Sequence, residues 1–274
     1  MSDAVIRPYR PADRGQAAGL WNRVFGDPEE VVCAFLDLFG TQSGFCMVAD
    51  CSGTIAAAAY AMDGLTLCLP GQPPASGTYL YAVATDPEFR KRGLAAEICR
   101  ALRDAAFARG IDCLFTHPAE MSLFPWYEEK TGAVPVIPCR TRTVTDPDAA
   151  LPVSELSPAE YGDLRERLLA GTAHVAIPDT FLQWEHALHA AYGGAFLRVG
   201  DGIADVFTDG ETAEIAELLH DAPECAARAV LAHCGVRTAR VTLPGGDTPY
   251  ISCAPASGTL PAGLEQAWFG PVFG

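Results

Sequence analysis

The 274-residue sequence is short of positive charge. It carries 19 basic side chains against 34 acidic ones, a formal net charge of −15, and only Lys91 and Lys130 are lysines. A nucleic-acid binder needs a basic footprint to displace counterions from phosphates, so this balance argues against such a partner. It argues equally against docking on anionic lipid. Long apolar runs are missing too. None reaches the roughly 18–20 residues of a membrane span, and residues 1–7 lack the apolar core of a signal peptide. Ten cysteines are present, but no C-x-x-C pair. The nearest two, Cys46 and Cys51, cannot make a zinc site alone. Most lie in apolar runs, where a free thiol behaves as a small hydrophobe. The expectation is buried, reduced thiols in the cytoplasm, with no disulfide and no metal. The loops G-x-x-x-x-G-K-[ST] and G-x-G-x-x-G are absent, which excludes a P-loop and a Rossmann fingerprint.

What is present describes a globular protein: 49% of residues are hydrophobic and 19% charged. The length allows one large domain or two modest ones. Charge separates the halves. Residues 1–145 hold 13 basic and 16 acidic side chains, whereas residues 146–274 hold 6 and 18.

The first half alternates strand and helix patterns, the signature of an α/β protein with a mixed sheet. A strand is predicted over Ala4–Tyr9, then a helix to Phe25. A second helix follows Asp27-Pro28-Glu29-Glu30, read as a capping carboxylate, a first-turn proline and dipole-favoured acids. Strands follow at Phe45–Ala49 and Thr54–Met62, with a loop over Pro70–Gly77. The strand Thr78–Thr85 leads to a helix from Gly93 to Arg109, a strand at Ile111–Thr116, a short helix at Leu123–Lys130 and a last strand at Val134–Val144. Residues 146–152 read as a linker. Beyond it the order recurs in weaker form. Helices are predicted at Pro158–Leu169, Pro178–Ala190 and Ala222–His233, with strands between and after them. Ala267–Phe273 is expected to close the sheet. The expected division is a first domain over 1–145 and a second over 153–274.

One segment concentrates the scarce positive charge. After the strand and a turn at Asp86-Pro87 come Arg90, Lys91, Arg92, Gly93, Leu94 and Ala95, opening a helix. Leading helix amides lack intrahelical partners, the dipole places positive charge there, and glycine lets a ligand approach the backbone. Cations at this end oppose the dipole, and a bound pyrophosphate would offset them.

The pattern Arg90-x-x-Gly93-x-Ala95 resembles the acyl-CoA signature of the GNAT N-acetyltransferase superfamily. Further on, Phe124-Pro125-Trp126-Tyr127-Glu128-Glu129-Lys130-Thr131-Gly132 resembles its second signature. The resemblance implies a GNAT fold over about residues 4–145. It implies acetyl-CoA as cosubstrate on Arg90–Ala95, and a splay between the strands of Tyr81–Thr85 and Ile111–Thr116. Main-chain groups of Val83, Ala84 and Thr85 would line the thioester arm, and Tyr127 would protonate the departing thiolate. Packing of Tyr127 against the sheet is the competing reading. Glu120 stands where the family often has asparagine; it would either help deprotonate the acceptor or cap a helix. Ala95 replaces a frequent glycine.

The second half has no such loop; its equivalent turn, 218–225, carries acids and a proline. It reads as a degenerate GNAT-like lobe that does not hold CoA, similar to the paired lobes of enhanced-intracellular-survival-type acetyltransferases. Those carry a third, sterol-carrier-like domain for which 274 residues leave no room, so homo-oligomer formation stays open. The expected partner is a small amine, which acidic surroundings would steer. Asp27, Glu29 and Glu30 lie where GNAT folds receive the acceptor, with helix capping as the alternative. His186 and His189 share a helical face without a third ligand following, and read as surface or packing histidines. The activity implied is direct acetyl transfer; the alternative is a non-catalytic acyl-CoA-binding or regulatory protein with an inherited loop.

Overall fold

The computed structural model describes residues 4–41 and 45–273. In chain order the elements begin with β1 (Ala4–Pro8), α1 (Arg14–Phe25), α2 (Glu29–Phe39), β2 (Cys46–Cys51), β3 (Thr54–Cys68) and β4 (Ala75–Thr85). There follow α3 (Leu94–Ala108), β5 (Cys113–Thr116), α4 (Phe124–Thr131), β6 (Val134–Thr145) and β7 (Val153–Glu155). The remainder is α5 (Pro158–Leu169), β8 (His174–Ala176), α6 (Asp179–Tyr192), β9 (Gly194–Val199), β10 (Gly202–Asp209), β11 (Thr212–Leu219), α7 (Pro223–Cys234), β12 (Thr238–Pro244) and β13 (Thr248–Pro255).

The chain forms two compact units. The first comprises residues 1–66, 74–136 and 251–262, and the second 67–73, 137–250 and 263–274. This corrects the expected division at 146–152. The boundary falls inside β6, whose residues 139–145 pair antiparallel with β12 in the second unit. β13 returns to the first unit, where Ser252–Pro255 pair antiparallel with Thr116–Cys113 of β5.

In the first unit the strands run in the order β1-β2-β3-β4-β5-β13. β3 is buried almost continuously from Ile55 to Met62, as a strand covered on both faces must be. Its alanines let helices approach closely. α3 turns Leu94, Ile98, Cys99, Leu102 and Ala106 inward at helical spacing and keeps Glu97 and Arg100 in water. The other face carries α1 and α2 over an aromatic cluster in which Trp21, Phe35, Tyr60 and Tyr81 lie with ring centroids 4.9–5.8 Å apart.

The second unit orders its strands β6-β12-β11-β10-β9-β7. Its parallel pair, β11 with β12, flanks α7 as β4 and β5 flank α3, so the repeated element order is real. Three expectations of detail differ. The strand expected to end at Met62 continues to Cys68, and β4 begins at Ala75 inside the expected loop. Segment 267–273 forms no strand. Gly270 there has φ 100, and a Cβ would meet Arg165 Nη2 at 2.6 Å. The segment instead supplies groups to a buried cluster: Phe269 O accepts from Arg165 Nη2 at 2.9 Å, and Trp268 Nε1 donates to Glu217 at 2.5 Å.

Candidate functional site

β4 and β5 pair only over Gly77–Tyr79 and Cys113–Phe115, yet β4 continues to Thr85. The divergence has a local cause. Ala82 has φ 45, a left-handed conformation that a non-glycine residue adopts only under constraint. Leu80 packs in the core against α3, Tyr81 points to the aromatic cluster on the opposite face, and Val83 packs on the α3 side again. In a regular strand residues 81 and 83 share a face. The left-handed turn at Ala82 breaks that alternation and re-aims the end of β4. Ala84 is buried, so it can offer a ligand only its main chain. The Thr85 carbonyl accepts from Arg90 Nε at 3.3 Å, whereas its buried Oγ1 has no partner.

The basic loop follows. Lys91 has φ 63 and Gly93 φ 83, and no side chain caps α3. Leading helix amides in such a turn converge on an anion. The three cations differ in their commitments. Arg90 bonds back to Thr85, and Arg92 donates to Glu88 O at 3.0 Å while its guanidinium lies 4.7 Å from the Phe89 ring centroid. Among the described residues Lys91 makes no hydrogen bond or ion pair and is exposed. Leu94 buries its side chain in the α3 core and contributes backbone only, as does the half-buried Ala95. A diphosphate fits this cradle: open amides, an uncommitted ammonium, and two arginines that hold the turn in shape.

Tyr127 sits on α4, which ends on a left-handed Gly132 (φ 74) whose amide bonds Glu128 O. That requirement accounts for the glycine of the second signature. Tyr127 is 9% exposed, in the cluster with Leu80, Leu94, Ile98, Cys99 and Ala254. Burial, with the Cys99 thiol adding to it, pushes its phenol above the usual 10. Glu120 is exposed and accepts from Ser122 Oγ at 3.1 Å, and no described contact joins it to Tyr127. His117, which the sequence reading passed over, follows β5 directly at the diverging end and is half-buried.

On the α1–α2 side the expected acids separate. The Asp27 carboxylate accepts from Trp21 Nε1 at 2.6 Å and does not cap α2, whose N-cap is Pro28. Glu29 and Glu30 are exposed in its first turn. The second unit's counterpart of the basic loop is filled from within. Ala222 N donates to His220 Nδ1 at 2.8 Å, and Pro223 removes a further amide.

The family model of the acetyltransferase (GNAT) domain matches residues 5–130. Over those residues, just under half of the chain, the sequence is similar to that family. The fold extends the likeness beyond them. A probable N-acyltransferase from Enterococcus faecalis V583 superimposes with a TM-score of 0.69 at 13% identity, over 94% of this chain and 74% of that one. Eis1 from Mycobacterium abscessus does so with 0.67 at 15%, over 92% and 74%. A GCN5-related N-acetyltransferase from Kribbella flavida gives 0.67 at 15%, over 93% and 71%. At such identities the likeness is one of fold, and it takes in the second, GNAT-like unit. No curated protein sequence matches the chain. All ten cysteines are free, five of them buried. No helix among the described residues is long and apolar enough to cross a membrane.

Proposed function

We propose that the protein transfers an acetyl group from acetyl-CoA directly to the amine of a small, cationic acceptor. The observation that carries this reading is the uncapped start of α3, with left-handed Lys91 and Gly93, beside the opening between β4 and β5. When bound, acetyl-CoA supplies an activated acetyl thioester. Backbone amides of 92–95 and the Lys91 ammonium hold the diphosphate, while Arg90 and Arg92 keep the loop in register. The main chain of Val83–Thr85 and the unpartnered Thr85 hydroxyl orient the thioester end. Tyr127, like any phenol, carries its proton at neutral pH and can give it to a leaving thiolate; burial pushes its pKa up and makes it a weaker donor than an exposed tyrosine. Exposed Glu29 and Glu30 at one end of the aromatic face, with Asp27 fixed on Trp21, suit an organic cation. Glu120 or His117 would take the amine's proton.

The depth of Tyr127 favours a second reading, an acyl-CoA binder in which the tyrosine only packs. Acetyl transfer to a panel of polyamines, aminoglycosides and amino acids separates the two. Catalysis predicts turnover on at least one acceptor, and Tyr127→Phe lowering kcat by about 10²–10⁴-fold with CoA affinity kept. A silent panel with tight CoA binding selects the binder, and undiminished transfer by Tyr127→Phe removes Tyr127 as the acid.

A further inference from the structure

Two groups of buried ionisable side chains lie side by side in the second unit, and they differ in how far their polar atoms are satisfied. Asp205 of β10 and Glu217 of β11 are direct cross-strand partners, and both are fully buried. Like charges opposite one another in a sheet destabilise it unless each is compensated. Glu217 is compensated completely. It accepts from Arg165 Nε at 3.0 Å, Tyr161 OH at 2.5 Å and Trp268 Nε1 at 2.5 Å. The rest of the Arg165 guanidinium is engaged with Val175 O, Phe269 O and Glu166, so its charge is committed elsewhere.

Asp205 has no such escort. Its Oδ1 lies 2.7 Å from His189 Nε2, and Oδ2 has no partner. Glu185, one helical turn before His189 on α6, is 1% exposed and leaves Oε2 unpartnered; His189, 3% exposed, leaves Nδ1 unpartnered. One ligand-type atom from each of the three lies within 4.8 Å of the others. Room for the imidazole is built in. Gly194 stands where a Cβ would meet His189 Cδ2 at 2.5 Å, and Phe196 and Phe207 flank the ring at 4.6 and 4.8 Å. Two carboxyl groups and an imidazole thus lie dry, mutually adjacent and half-satisfied beside a network that is fully satisfied.

We propose that Glu185, His189 and Asp205 bind a first-row divalent cation that ties α6 to β10. Mixed nitrogen and oxygen donors suit Zn²⁺ and its neighbours, and the i, i+4 spacing presents Glu185 and His189 on one helical face. Metal ligands bind in their deprotonated forms, so uptake of the ion releases protons. The sequence hides the site because Asp205 comes from another element. Its role is separate from the acetyl-CoA cradle, which belongs to the first unit.

The test uses the full chain, stripped with a chelator and titrated with Co²⁺ and then Zn²⁺. One equivalent of Co²⁺, a visible d–d absorption without thiolate charge transfer, displacement by Zn²⁺ and a raised Tm are expected. The near-isosteric Glu185→Gln and Asp205→Asn, checked for folding by circular dichroism, weaken binding by at least about tenfold, as even outer-shell changes do. His186→Ala, an exposed neighbour, leaves it unchanged. No uptake by the wild type, uptake with a thiolate spectrum, or equal affinity in folded variants overturns the proposal. If neither variant folds, the wild-type stoichiometry and spectrum decide.

Discussion

Single residues in this protein are tuned mainly by burial. Cys99, on the inner face of α3, has its thiol pushed up from 9.0 to about 12 by desolvation. The native state therefore holds a proton that the unfolded chain releases near pH 9. The stabilisation is complete below about pH 9 and is lost as pH climbs toward about 12. Thermal unfolding followed across that range is expected to show a falling Tm. Cys99→Ala lowers Tm at every pH but flattens this alkaline slope; an unchanged slope would show that the thiol does not couple. Some residues were legible in the sequence because their partners are near in the chain. Gly132 stops α4 through its own backbone angle. Others were not. Asp27 reads as a helix cap, yet Trp21 claims its carboxylate from the preceding helix.

Among the elements, the turn from β4 into α3 carries the proposed cofactor site. Gly93 has φ 83, which costs an L-residue about 1–2 kcal/mol. Gly93→Ala is expected to lower stability by about that amount and to weaken CoA binding by calorimetry, since the same backbone angles aim the amides. Lys91→Ala is expected to weaken CoA more than Arg92→Ala does, because Arg92 already serves Glu88 O and the Phe89 ring. The reverse order would assign the diphosphate to the arginines. This turn was readable because three cations, a glycine and an amphipathic helix occur consecutively. The left-handed conformation of Ala82, which redirects the strand before it, has no residue signature; alanine rarely adopts positive φ.

For the whole molecule, sequence order and spatial order part company. The repeated helix–strand plan was visible in the apolar spacing, whereas the exchange of β6 and β13 was not, because strand pairing depends on contacts far apart in the chain. A fragment of residues 1–145, the division that the sequence suggests, lacks β13. It leaves the edge of β5 unpaired and removes Ala254 from the cluster around Tyr127. Such a fragment is expected to aggregate or to lose CoA binding relative to the full chain, as read by light scattering and calorimetry. A monomeric fragment with full affinity would show that β13 is dispensable.

The place of β13 also bears on synthesis. Thr116 leaves the ribosome long before Ser252, its partner, has been made. At common elongation rates that delay is on the order of ten seconds. Throughout it, the first unit exists as an incomplete sheet with one edge open to neighbouring nascent chains. Translation pauses upstream of residue 248 should then lengthen this exposure and raise the demand for chaperones.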